Sequence, residues 1–313
     1  MGRLIGFTSD NHGNSEQFLR ALKRAERDEF AALIFGGDIG PKHIGIGELS
    51  SGLDRIKNSK LIAAQGNFLK NELIPIFMKF HEKNKDCKII LMLGNDDAKS
   101  NLELLKANEF QEEQKGKQYR LFYLLHDKDA YVCGRRIMGS SYVPLSPEFI
   151  AFKDWEKPDP PHDLGAYSSK LYLNGVPIEG YKSEGGDLVR AQFHLRESLS
   201  IGKHLEQGLY TKDPQNTIYI FHAPPLGKGE EAIDFADDKN HAGSQAIYDF
   251  ILHLQPPLTF SGHMHWTVEY SGVFKINIGA TVCAAVGNDP KNDSPRIITF
   301  DIMDPRTVKR FQI

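Results

Sequence analysis

Apolar residues in this chain gather in short runs separated by amphipathic stretches. Residues 4–7, 32–35 and 88–93 are runs too short for helices, whereas residues 16–27 and 68–83 carry apolar side chains at helical spacing. That alternation predicts βαβ units, with strands at the runs and helices on their faces. From residue 119 to 140 the pattern changes to closely spaced β-like pieces (121–125, 130–133 and 136–139) with no helix between them. Sheet topology is therefore expected to become mixed there. After residue 215 the opening rhythm returns: a strand at 217–221, a helix at 244–254 with Ser244 as N-cap, a strand at 258–260 and a hairpin over 268–278. Residues 296–301 and 308–313 close the chain as strands.

Residues 141–215 break this rhythm. Pro144, Pro147, Pro158, Pro160, Pro161 and Pro177 are mixed with Phe149, Phe152, Trp155, Tyr167, Tyr172 and Tyr181, which predicts a loop-rich insertion. Leu188, Ala191, Leu195 and Leu199 fall near helical spacing and predict a helix over 187–205. Because the same signals lie on both sides, residues 1–313 read as one domain, with 141–215 as an insertion or cap within it. The fold class expected is α/β.

Composition narrows the partners. With 40% hydrophobic and 25% charged residues the chain can bury a large core. A net charge of −3 gives no reason to expect a nucleic-acid partner, so any anionic substrate must be held by local positive charge. Cys87, Cys133 and Cys283 are far apart and odd in number, which indicates neither a disulfide framework nor a thiolate zinc site and suits the cytoplasm. The start of the sequence has no signal-peptide pattern, and no stretch reaches membrane-spanning length. Oligomeric state is not readable.

Five apolar runs end abruptly in a small or polar residue and a potential ligand. Residues 4–7 precede Ser9-Asp10-Asn11-His12-Gly13, 32–35 precede Gly36-Gly37-Asp38, and 89–93 precede Gly94-Asn95-Asp96-Asp97. Residues 218–221 precede His222-Ala223-Pro224-Pro225, and 258–260 precede Ser261-Gly262-His263-Met264-His265. Ligand sites in α/β sheets gather beyond the carboxyl ends of strands, so five strand ends could converge on one site. Each piece alone is weak: with 12 His in 313 residues, chance gives about 0.5 His-x-His. Carboxylate, amide and imidazole ligands together suit Mn, Fe, Zn, Co or Ni rather than an all-oxygen calcium site. Seven ligands exceed what one tetrahedral ion takes and suit two.

As an ordered set, Asp10-x-His12, Gly37-Asp38, Gly94-Asn95-Asp96-Asp97, His222 and Gly262-His263-x-His265 resemble the calcineurin-like metallophosphoesterase superfamily. The stretch from Phe221-His222-Ala223-Pro224-Pro225 to His241-Ala242-Gly243-Ser244 further resembles the branches often called Icc-related phosphoesterases. The resemblance implies two facing mixed β-sheets flanked by helices. It also implies two divalent metal ions, one on Asp10, His12, Asp38 and His265, the other on Asp38, Asn95, His222 and His263, with Asp38 bridging. Two ions roughly 3.5–4 Å apart can lower the pKa of a shared water from 15.7 toward ~7. The implied activity is hydrolysis of a small phosphorylated substrate, a phosphodiester or nucleotide rather than a nucleic acid. Asn95 would also touch substrate, as would His241.

The chain departs from the family after Asn95, where most active relatives have a histidine that binds phosphate and protonates the leaving oxygen. Here the residue is Asp96. A carboxylate with an ordinary pKa near ~3.9 is a poor acid and repels phosphate. Three readings stay open: Asp96 is an acid with a raised pKa, the substrate's leaving group needs little protonation, or another group, His241 or a residue of the insertion, is the acid. Asp97 would orient a neighbour from behind the ligands. A non-catalytic, metal-binding interaction scaffold, as in the retromer subunit that also departs from His here, is the alternative. His43, His81, His126, His162, His194, His204 and His253 sit in no motif and read as packing or surface residues.

Overall fold

A computed structural model describes residues 3–42, 55–112, 118–145, 154–159, 178–184, 187–193, 200–237 and 239–313. Two six-stranded mixed sheets form its centre. The first runs Asp304–Gln312, Arg296–Asp301, Leu4–Thr8, Ala32–Gly36, Lys88–Met92 and Tyr123–Leu124, and from Leu4–Thr8 onward its neighbours are parallel. The second runs Lys275–Ile278, Thr281–Ala285, Leu258–Ser261, Thr217–Phe221, Arg135–Ser140 and Asp129–Val132, with its four central strands parallel.

Strand alternation explains the layering. Ile5, Phe7, Ile34, Ile90, Met92, Ile298 and Phe300 of the first sheet pack with Ile137, Ile218, Ile220, Leu258 and Phe260 of the second in one buried cluster. Phe260 stacks between Phe7 and Phe300, at 4.9 Å from each ring centre. Side chains one residue out of phase, Leu33, Phe35 and Leu91, face the other way and meet helices. Phe35 packs on Phe18 of helix Ser15–Arg27 at 5.0 Å and on Phe77 of helix Ile74–His81 at 5.7 Å. Across the sandwich, Tyr219 meets Phe250 of helix Gln245–Leu254 at 5.1 Å. Two facing mixed sheets flanked by helices are thus the architecture. No helix of the described residues is long and apolar enough to cross a membrane.

Three expectations need correction. The helix expected over 68–83 begins earlier: Arg55–Phe68 is α-helical, Leu69–Leu73 forms a π-helical turn, and Ile74–His81 continues. Pro75 has no N–H for the regular ladder, which accounts for the irregular turn before it. The helix expected over 187–205 is instead a strand, Asp187–Phe193, paired antiparallel with Ile178–Glu184, followed by the short helix Ile201–Leu205. Glu184 pairs with Asp187 across Gly185-Gly186, a spacer that favours a hairpin over the helical spacing of the leucines. The hairpin expected over 268–278 lies further on. Thr267–Ser271 is a helical turn stopped by Gly272 at φ 74°, and Lys275–Ile278 pairs with Thr281–Ala285 around Gly279 at φ 59°.

The described part of the insertion is tied into the core. Glu156–Lys157 pairs with Val143–Pro144, Asp154 accepts from Lys99 N at 3.0 Å, and Ile201 N donates to Pro158 O at 2.8 Å. Asp159 accepts from Gln245 N and Ala246 N at 2.8 and 3.0 Å, capping helix Gln245–Leu254 beside Ser244. Strand Asp187–Phe193 approaches helix Arg55–Phe68. Tyr167 lies outside the described residues.

Candidate metal centre

The parallel strands of each sheet end at one edge, and the ligand-type residues follow within a few positions. Two loops of the first sheet are zipped together: Asp10 N donates to Gly37 O at 3.0 Å, His12 N to Asp38 O at 2.9 Å, and Gly13 N to Ile39 O at 2.9 Å. The second sheet is joined to them by His263 N, which donates to both oxygens of Asp10 at 2.9 and 3.1 Å. Close approach explains two glycines. A Cβ at Gly94 would collide with Asp38 and His222, and one at Gly262 with Ser9 and Asp10.

Donor atoms of Asp10, His12, Asp38 and His265 lie within 4.8 Å of one another, and so do those of Asp38, His222 and His263. Asp38 belongs to both groups. Asn95 Oδ1 stands 3.0 Å from His222 Nε2, beside the second group. His12 Nε2 and His265 Nε2 are 3.0 Å apart, and His222 Nε2 is 3.4 Å from Asp38 Oδ1. Asp10, His12, Asp38 and His263 hold left-handed backbone, at φ 57°, 44°, 50° and 66°. Such non-glycine conformations cost about 1 kcal/mol or more each, and strain of this kind gathers where function over-determines geometry.

The electrostatics are those of converging lone pairs. Burial pushes His263 down to about 3, helped by His222, and drives His265 and His12 below their ordinary values. These rings are therefore neutral at pH 7. Two neutral imidazoles whose Nε2 atoms stand 3.0 Å apart cannot both donate, and the Nδ1 of His12 is buried with no hydrogen-bond partner among the described residues. His222 Nδ1 donates to Gly36 O at 3.0 Å, which directs Nε2 toward Asn95 and Asp38. Burial disfavours a charged His222, yet the Asp38 carboxylate overcomes this and lifts it to about 9. Burial, with Asp38 nearby, raises Asp10 to about 7, while Asp38 itself is held low against burial by His222 and His12. Borderline divalent cations fit this set of nitrogen and oxygen donors.

Asp96 lies beside the cluster. Its N–H donates to Asp38 Oδ1 at 2.9 Å, its Oδ1 accepts from Asn95 Nδ2 at 3.2 Å, and its Oδ2 pairs with Lys42 Nζ at 2.7 Å. Asp97 accepts from Ile39, Gly40 and Gly94 N–H groups at 3.1, 2.8 and 2.8 Å, and burial next to Asp38 raises it to about 7. His241 stands outside both groups, with Nδ1 2.8 Å from Asp234 and its ring on Phe235. His81 is tied to Leu121 O, and His126 and His204 pack among Tyr142, Trp155 and Tyr210. His43, His162 and His194 lie outside the described residues.

Sequence reasoning missed four supporting residues. Lys42 pairs with Asp96. Gln65 donates to Asp96 O at 2.7 Å and accepts from Ala98 N at 2.9 Å, and Trp155 Nε1 donates to Asp97 O at 2.7 Å. Asn288 donates to Ser9 O at 2.9 Å and to Gln17 Oε1 at 2.8 Å, fastening the Asp10 loop. Asn288 carried a usable signal, since it follows Gly287 at the end of an apolar run as the other strand-end residues do. Lys42, Gln65 and Trp155 carried none.

A family model described as calcineurin-like phosphoesterase matches residues 3–267. No curated protein matches the sequence. Among solved structures, one superposes with a TM-score of 0.61 at 16% identity, covering 100% of this chain and 99% of its own. The TT1561 protein of Thermus thermophilus superposes at 0.50 with 15% identity, over 100% of this chain and 99% of its own.

Proposed function

The chain belongs to the calcineurin-like phosphoesterase family, and from that premise we propose that it is a binuclear, metal-dependent phosphoester hydrolase. One observation carries the reading: Asp38 is shared by two converging groups of donor atoms, Asp10, His12 and His265 on one side and His222 and His263 on the other. Asn95 joins the second group through its contact with His222. Two ions drawn from Mn, Fe, Co, Ni and Zn suit these ligands. When bound, they supply the positive charge that an acidic chain lacks, together with an activated water.

The chain's own residues provide the rest. Asp38 offers one oxygen to each group, His222 is held in orientation by Gly36 O, and Asp97 ties together the two loops that carry Asp38 and Asn95. A small phosphodiester or nucleotide is the substrate class favoured, since a net charge of −3 offers no basic surface for a nucleic acid. Residues 141–215 serve as a cap within a single domain, a reading supported by the approach of Asp187–Phe193 to the helix that carries Gln65. Cys87, Cys133 and Cys283 form no disulfide, which suits the reducing cytoplasm.

Elemental analysis of the purified protein alongside turnover of bis(p-nitrophenyl) phosphate tests this. The wild type should carry about two ions per chain and turn over. Asp38→Ala should lose metal and fall below about a hundredth of wild-type activity together, because two cations then lack their common anion. Full metal content and turnover in that variant would end the binuclear assignment. Metal binding without turnover on any ester would favour a scaffold.

A further inference from the structure

Asp96 puts a carboxylate beside the donor cluster, next to Asn95 and Asp38. It is 4% exposed, its N–H is committed to Asp38, and its Oδ1 accepts from Asn95. Left alone, it would repel the substrate of the site it borders. It is not left alone, because Lys42 Nζ stands 2.7 Å from its second oxygen. Lys42 follows Asp38 by four residues, on the loop whose Asp38 and Ile39 carbonyls accept from His12 and Gly13. Its stem therefore rises from the wall of the donor cluster, while its side chain stays 39% exposed.

An ammonium has three donors, and Lys42 meets Asp96 Oδ2 as an ion pair at 2.7 Å. On the reading that this site hydrolyses phosphoesters, we infer that Lys42 grips the phosphoryl oxygens of the substrate and that Asp96 is the positioning residue that holds its ammonium there. The pair puts N–H donors, which a carboxylate lacks, at this position. Neither residue moves a proton: Lys42 contributes charge and N–H donors, and Asp96 contributes an anchor. Burial opposes the charged amine, but the carboxylates of Asp96, Asp38 and Asp10 around it keep it protonated. A flexible lysine without such an anchor would spend much of its time in solvent.

Metal-loaded Lys42→Ala should keep its metal but show a KM for bis(p-nitrophenyl) phosphate, and an inhibition constant for inorganic phosphate, raised by about tenfold to a hundredfold, the loss of one charge-assisted hydrogen bond. Lys42→Arg should recover most of both. Asp96→Asn should shift both constants in the same direction, and combining it with Lys42→Ala should add little, since the two act as one unit. A readout independent of activity is acetic anhydride labelling followed by peptide mass spectrometry. Inorganic phosphate should protect Lys42 in the metal-loaded wild type, and Asp96→Asn should make Lys42 react faster. Wild-type turnover with unchanged constants in Lys42→Ala, or labelling indifferent to phosphate, would reduce the pair to a structural ion pair. A wild type that binds no metal and turns over no ester would overturn the hydrolase reading, and this inference with it. Should Lys42→Ala fail to fold, Lys42→Arg and wild-type labelling still decide.

Discussion

Asp97 shows how much a single buried carboxylate can organise. Three backbone N–H groups from two loops converge on its two oxygens, so in Asp97→Asn one oxygen becomes an NH₂ facing donors. The variant should be less stable by roughly 1–3 kcal/mol, measured by denaturant unfolding, and should bind metal more weakly as the Asp38 and Asn95 loops separate. His126 gives a pH prediction away from the metal cluster. Burial, in a box that includes Tyr142 and Trp155, lowers it from 6.5 to about 3. Folded His126 stays neutral while the unfolded chain takes up a proton below about 6.5. Its contribution is therefore complete above that pH and is lost as pH falls toward about 3, with a slope near 1.4 kcal/mol per pH unit. Unfolding measured between pH 7 and 4 should show this slope lessened by one proton in His126→Gln. At this scale the seven ligand-type residues could be singled out because each lies within five residues of the end of an apolar run. Lys42 and Gln65 were not, since their partners Asp96 and Ala98 are brought to them only by the folded sheet.

Among the elements, parallel strands with one buried register read well, because a single hydrophobic period decides them. Strands Thr217–Phe221 and Arg296–Asp301 fall at the expected residues, and helix Gln245–Leu254 follows its Ser244 cap. Where two periods compete, the reading fails: residues 187–193 satisfy both helical spacing and strand alternation, and pairing with Ile178–Glu184 decides. Helix Arg55–Phe68 lacks a one-sided apolar stripe and was invisible for that reason. Trp155 shows the limit for function. One of the insertion's aromatics, it is 0% exposed and donates to Asp97 O, so it can act on a substrate only through the Asp96-Asp97 loop. Trp155→Phe should cost about 2–4 kcal/mol, from the cavity and the unsatisfied carbonyl, with metal content retained. Loss of stability, seen in thermal unfolding, should exceed any change in KM. A large KM change at wild-type stability would mean that the side chain meets substrate after all.

The whole molecule divides the site between its two sheets. Asp10, His12, Asp38 and Asn95 follow strands of the first, and His222, His263 and His265 follow strands of the second. Ions bound at this edge would fasten one sheet to the other, which would link metal occupancy to sandwich stability. Because the unfolded chain has no assembled site, metal at a hundred times its dissociation constant should add about 2.7 kcal/mol, raising the melting temperature by a few degrees in a domain of this size. Asp38→Ala should lose that increment. A core variant provides the control. Phe300 stacks on Phe260 inside the sandwich and pairs with Ile5, toward the end of the strand away from Asp10. Phe300→Ala should cost about 3–5 kcal/mol with and without metal alike, leaving the metal increment intact, because distant and unshared contacts add. Calorimetry of the wild type and both variants, each with and without added metal, separates the terms. A metal increment that vanished in Phe300→Ala would mean that the two sheets hold their halves of the site only through the full strength of the core between them.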